Sequence, residues 1–394
     1  MALLLGFISA IGPFANHMYL PALPDIAEGL DVAPSQVQWS LTSFFASFAL
    51  AQLLYGSAAD RWGRRLPLLV GLGFFVVGTV GCALAGDIGM LVAFRFIQGA
   101  GAAATAAVPR AIVRDLHTGH DAARMTALLM LVFSVSSILA PLAGSGLTAF
   151  AGWRAVFWGV LVAALGGLLV TTWLLPETLP ATARDRSSLG GAAKAYFRLL
   201  QQPRFLALSG IGGLGAATFY AYLAQSSLVL IGQYGLTQTQ YSLAFGTNAI
   251  VFIGASQAAG RLGRRFGLEP LVRWAAAGCA LAMSLLLVAR LVGEDSLALM
   301  MGLLYLGYGC LGLVVPVTAV LAMDDQGNAA GTAAALMGAM QLAVSAVVIA
   351  LASPFAGGGA LPMIAAIAAS AVGAWVLAEC TLRRSTANSG QLNH

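Results

Sequence analysis

Three ionisable side chains stand inside long apolar runs of this 394-residue chain: His17, Arg95 and Arg110. A charge at membrane depth is costly and persists only where it faces a polar interior, a partner or water, so each marks a place for proton or ligand handling. Imidazole ionises near neutrality, which suits His17 equally to carrying a proton, touching a substrate or making a structural hydrogen bond. Arg110 follows Pro109 and lies one turn inside Arg114. It either faces an internal cavity and selects anionic or hydrogen-bond-accepting ligands, or reaches the surface along its aliphatic stem. None of the 15 acidic residues is expected at mid-membrane depth: Asp25, Glu28 and Asp31 close the first apolar run, and Asp324 and Asp325 precede a late one. No nucleophile–base pair or cluster of metal ligands occurs at functional spacing, so catalysis is disfavoured and neither metal nor cofactor is expected. The four cysteines, Cys82, Cys279, Cys310 and Cys380, share no spacing that would announce a disulfide framework or a metal site.

The elements that must position these residues follow from composition. Hydrophobic residues make up 59% of the chain and charged residues 9%, with a mean hydropathy of +0.85, far from a soluble domain with about a quarter charged residues. At roughly 20 apolar residues per crossing, twelve spans are expected: 4–24, 37–59, 66–86, 88–113, 123–150, 154–175, 204–232, 240–260, 270–291, 296–322, 329–352 and 361–382. The fold class is therefore an all-α membrane protein of twelve transmembrane helices. Sixteen of the 20 basic residues fall in one set of loops, which predicts cytoplasmic termini and makes the net charge of +5 a topology signal, not a nucleic-acid footprint. The first run lacks a basic leader and a clear cleavage site, and reads as a retained span.

The loop Gly56-Ser57-Ala58-Ala59-Asp60-Arg61-Trp62-Gly63-Arg64-Arg65 returns in degraded form as Ser256-Gln257-Ala258-Ala259-Gly260-Arg261-Leu262-Gly263-Arg264-Arg265. Such a repeat implies two pseudo-symmetric six-helix halves, 1–175 and 204–394, joined by a linker at 176–203. The linker gathers Pro176, Glu177, Pro180, Arg184, Asp185 and Arg186, and its part from Ser187 to Leu200 could form a surface helix with Lys194 and Arg198 on one side.

The loop around Asp60 resembles the signature between spans 2 and 3 of the major facilitator superfamily. The resemblance implies a conformational latch of Gly56, Asp60, Arg61, Gly63, Arg64 and Arg65, with Arg64 or Arg65 pairing to Asp115; Asp60 is expected near a helix N-terminus, where the dipole favours an anion. The segment Leu91-x-x-x-Arg95-x-x-Gln98-Gly99-x-Gly101 resembles the family's second signature, which implies proton coupling for Arg95; the alternative is that Arg95 satisfies backbone freed by Pro13 or Pro21. Ala140-Pro141-Leu142-Ala143-Gly144-Ser145-Gly146 partly resembles the antiporter signature and suggests a hinge at Pro141 and Gly144, or plain packing. Asn16-His17-Met18-Tyr19-Leu20-Pro21, Arg114-Asp115, Pro176-Glu177-Thr178-Leu179-Pro180 and Ala330-Gly331-Thr332-Ala333 together resemble the Bcr/CflA drug-exporter branch. His17 departs from that branch, which has an acidic residue there.

Membership would imply a single-chain exporter of small amphipathic drugs in the bacterial inner membrane, exchanging substrate for protons by alternating access. The expected partners are a small-molecule substrate, protons and the lipid bilayer, without nucleic acid and as a monomer. A metabolite exporter or uncoupled facilitator is the alternative. Further cavity candidates are Asn16 and Tyr19 in span 1, Ser134 in span 5, Phe219, Tyr222 and Gln225 in span 7, Asn248 in span 8, Tyr305 and Tyr308 in span 10, and Gln341 in span 11. Aromatic faces with a few hydrogen-bonding groups suit a broad, mostly apolar ligand, although core packing accounts for any one of them equally well.

Overall fold

In the computed structural model, residues 2–116, 119–179, 189–324, 326, 330–355 and 359–391 are described, and every regular element among them is helical. Helix α1 (Ala2–Tyr19) passes through a short 3-10 turn at Leu20–Ala22 into α2 (Leu23–Gly29). The break falls where Pro21 and Pro24 open the two following pieces, since proline lacks the N–H that an uninterrupted ladder needs. The first crossing thus runs to Gly29, past its expected end at 24.

The following helices are α3 (Pro34–Trp62), α4 (Arg65–Ala83), α5 (Ile88–Leu116), α6 (Gly119–Ala151) and α7 (Arg154–Leu174). The short α8 (Leu189–Leu200) bears out the expected surface helix. Then come α9 (Pro203–Ser227), which continues as a π-helical turn over Leu228–Gln233, α10 (Gln238–Phe266), α11 (Leu268–Leu291), α12 (Leu297–Asp324), α13 (Ala330–Ala352) and α14 (Ala360–Gln391). Among the described residues, 11 helical segments are long and apolar enough to cross a membrane. Helix α6, at 33 residues, stands in the remaining place, and its shorter apolar part covers Val135–Ala151.

Contacts divide the chain into two compact units, residues 1–194 with 230–246, and residues 195–229 with 247–394. In the first, α3 and α4 pack along α5, α1 packs on α5, α6 and α7, and α4 packs on α7. In the second, α11 packs along α12, α9 packs on α12, α13 and α14, and α11 packs on α14. The pairings of spans 1, 3, 4, 5 and 6 therefore recur among spans 7, 9, 10, 11 and 12, which is the internal repeat expressed as packing.

Glycines set the closest crossings. A Cβ on Gly99 would meet the Phe44 carbonyl, one on Gly312 the Phe252 carbonyl, and one on Gly144 the Met18 carbonyl. At these points one backbone passes directly over another, an approach only the smallest residue permits.

The two loop copies do not share a conformation. Gly63, with φ of 86°, ends α3, whereas Gly263 stays inside α10 and the break comes one turn later at Gly267, with φ of 84°. Gly260 stands where the first copy has Asp60, so Arg264 has no carboxylate four residues before it.

Candidate functional site

Arg95 is fully buried and joins four spans of the first unit. Its Nη1 donates to Gln98 Oε1 at 2.7 Å and its Nη2 to Asn16 Oδ1 at 3.1 Å. The guanidinium carbon sits 4.4 Å from the Tyr19 ring centroid and 4.3 Å from that of Phe44, so an aromatic ring of α1 and one of α3 each lie within cation–π range. Gln98 Nε2 donates to Thr79 Oγ1 at 2.8 Å, and Thr79 donates to the Phe75 carbonyl at 2.6 Å. Ser40 donates to the Val37 carbonyl at 2.6 Å, which leaves the Tyr19 hydroxyl to donate to Ser40 Oγ at 2.7 Å. Amide oxygens and π faces thus hold the cation, not backbone freed by Pro13 or Pro21, because Asn16 and Tyr19 share the helix face that meets α5. Asn16, Tyr19 and Arg95 were legible as candidates; Phe44, Ser40 and Thr79 were not, since nothing in their local sequence distinguishes them.

His17 is buried next to Asn16 but about 100° around the helix from it. Its ring centroid lies 5.8 Å from that of Phe245, which belongs to the 230–246 segment of the same unit. That segment is held by two further bonds, Ser242 Oγ to the Pro141 carbonyl at 3.0 Å and Gln238 Nε2 to Asp25 Oδ2 at 3.0 Å. Pro141 lies inside the helix α6, and Gly144 marks its crossing with α1. The Arg110 side chain is exposed. The side chains of Arg114 and Ser134 lie outside the described residues.

At the loop between α3 and α4, Arg64, not Arg65, takes Asp115: Nε donates to Oδ2 at 2.6 Å and Nη2 to Oδ1 at 3.0 Å, while Nη1 donates to Asp60 Oδ1 at 2.5 Å. Burial alone would lower the Arg64 pKa, but the Asp115 and Asp60 carboxylates outweigh it and the net direction is upward. Arg65 instead donates to the Thr172 carbonyl. Asp60 lies in the last turn of α3 and not at a helix N-terminus, because the chain turns at Gly63 and brings Arg64 back over it. The anion at the start of α4 is Glu177, which accepts from the backbone N–H groups of Arg64 at 2.8 Å and Arg65 at 3.2 Å. Gly56 and Arg61 lie within the same last part of α3, and Arg61 is exposed.

The second unit gathers aromatic and amide groups. The Tyr222 and Tyr308 ring centroids are 5.5 Å apart, and Phe219 lies 6.0 Å from both Tyr308 and Phe252. Tyr308 donates to the Thr218 carbonyl at 3.1 Å. Tyr222, Gln225 and Asn248 are buried, Tyr305 is half-buried, and Gln341 meets α9 at Gly212. The candidates Phe219, Tyr222 and Tyr308 come together here across α9 and α12, with Phe252 of α10, which the sequence did not single out. Among the described residues no group of three or more His, Cys, Asp or Glu could hold a metal ion.

The arrangement is a set of packed helices with a buried cation and amide groups at membrane depth, suited to passing a solute and not to bond making. Comparison with known proteins agrees. A D-xylose-proton symporter structure superimposes with a TM-score of 0.74 at 16% identity, covering 95% of this chain and 96% of that one. An uncharacterized MFS-type transporter, YdgK of Bacillus subtilis, is 33% identical over 88% of this chain and 87% of its own length. A bicyclomycin resistance protein homolog of Haemophilus influenzae is 29% identical over 94% of this chain and 93% of its own. With the profile of the Major Facilitator Superfamily matching residues 5–350 as well, the repeated spans and the buried polar node have one explanation: the chain is a membrane transporter belonging to that superfamily.

Proposed function

We propose that this protein exports small amphipathic drugs across the bacterial inner membrane in exchange for protons, by alternating access, as a single chain with both termini in the cytoplasm. The carrying observation is the buried node on Arg95, where α1, α4 and α5 are tied through one cation and three polar side chains and α3 joins through the Phe44 ring. A charge so placed is retained in membranes for ion or substrate handling. The likeness to a bicyclomycin resistance protein homolog supports a drug as the solute. His17 follows Asn16 of the node on α1 and is the group proposed to carry the proton, with Arg95 proposed as the second coupling residue; the aromatic and amide groups of the second unit, Phe219, Tyr222, Gln225, Asn248 and Tyr308, are proposed to contact the substrate.

The test is proton release on adding substrate to inverted vesicles with an acid interior, using bicyclomycin, phenicols and cationic dyes. Antiport predicts release by the wild type and its loss in His17→Asn. Release that survives in His17→Asn would move the proton to another group, and substrate flux without release would leave uncoupled facilitation as the function.

A further inference from the structure

Helix α8, Leu189–Leu200, carries two different exposed surfaces side by side. Phe197 is 64% exposed and Leu200 42% exposed, whereas Leu199 is buried at 3%. At about 100° per residue, Leu200, Phe197, Lys194 and Arg198 follow one another around the helix over an arc of roughly 160°, with Leu199 on the opposite side. The exposed arc is thus apolar along one edge and doubly cationic along the other; Lys194 and Arg198 are both exposed, and the helix holds no acidic residue.

Position adds the second constraint. The end of α8 is not a loose tether: Gln201 N–H donates to the Arg198 carbonyl at 3.2 Å, Gln202 N–H to the Leu199 carbonyl at 3.0 Å and Leu206 N–H to the Gln202 carbonyl at 3.0 Å. These bonds carry the chain straight into α9, a membrane crossing that opens at Pro203. A helix fixed within a few residues of a span lies at headgroup depth, where an exposed phenylalanine and leucine find acyl chains and neighbouring cations find phosphates.

We propose that α8 is an interfacial helix that docks on anionic phospholipid, with Phe197 and Leu200 entering the acyl boundary and Lys194 and Arg198 binding headgroup phosphates, on the side of the membrane that carries the basic loops. The partner is the bilayer itself, and the inference does not depend on which solute is transported.

The experiment uses the full chain in vesicles of phosphatidylcholine, with or without phosphatidylglycerol. Cys310 and Cys380 are replaced by Ser, and a nitroxide is attached at Phe197→Cys or Lys194→Cys. Collision rates with oxygen, which concentrates in the bilayer, and with a water-soluble nickel chelate report depth. The proposal expects oxygen to dominate at position 197 and nickel at position 194, with the ratio at 197 rising severalfold when phosphatidylglycerol is present. That rise at position 197 should vanish when Lys194→Gln and Arg198→Gln are introduced together. Nickel dominance at both positions would overturn it in favour of a helix standing in water, and closure of both positions to either reagent would overturn it in favour of a protein cover. A ratio indifferent to phosphatidylglycerol would overturn the anionic specificity.

Discussion

Arg64 and Asp115 meet through two hydrogen bonds, Nε to Oδ2 at 2.6 Å and Nη2 to Oδ1 at 3.0 Å, while the same guanidinium donates to Asp60. One arginine therefore ties the end of α3 to the end of α5. Its side chain is only 5% exposed, so removal of the partner leaves a largely buried cation.

Asp115→Ala should accordingly destabilise the detergent-solubilised protein by about 2 kcal/mol, somewhat below the cost for a fully buried pair because Asp60 and solvent still reach Arg64. Arg64→Lys should cost nearly as much, since an ammonium cannot reproduce the two-pronged contact. Thermal unfolding of the two variants against Arg65→Lys provides the check: equal losses at positions 64 and 65 would contradict the assignment of the latch to Arg64.

Glu177 accepts from two backbone N–H groups at the start of α4. Glu177→Ala should lose about 1 kcal/mol, the usual worth of a helix cap, and Glu177→Gln should keep part of it because an amide oxygen still accepts. The ranking wild type, Gln, Ala in melting temperature tests this.

At the buried node, Arg95→Lys keeps the charge but loses the fork shared by Gln98 and Asn16 and the planar stack on Tyr19 and Phe44. Export should fall at least tenfold in cells of matched expression, and Arg95→Ala should fall further. Tyr19→Phe, which removes only the bond to Ser40, should cost about 1 kcal/mol of stability and leave most export intact. Full export by Arg95→Ala would remove the node from the mechanism.

Gly99→Ala and Gly144→Ala put a methyl into the Phe44 and Met18 carbonyls, whereas Gly146→Ala meets nothing within 4 Å. The first two should lose about 1–3 kcal/mol or fail to accumulate in the membrane, and the third should behave as wild type. Membrane yield and melting temperature of the three variants distinguish backbone crossing from a general intolerance of alanine in these helices.

Much of this architecture is written in local sequence. Apolar runs of span length fix where the helices are, because a backbone in lipid must satisfy its own hydrogen bonds; Pro21 and Pro24 break the first crossing where their missing N–H groups demand it. The repeated loop and the position of Arg95 were readable for the same reason, as was the surface helix after 187. Tertiary structure decided the rest. Which of Arg64 and Arg65 takes Asp115 depends on the turn at Gly63, and the two loop copies look alike in sequence yet break at Gly63 and Gly267. Glu177 caps α4 from more than a hundred positions away, and Phe44, Ser40 and Thr79 reach the Arg95 node only because α3 and α4 both pack along α5. Hydropathy is a property of one segment and dictates that it crosses; the partner of a buried side chain is a property of several segments and exists only once they are packed.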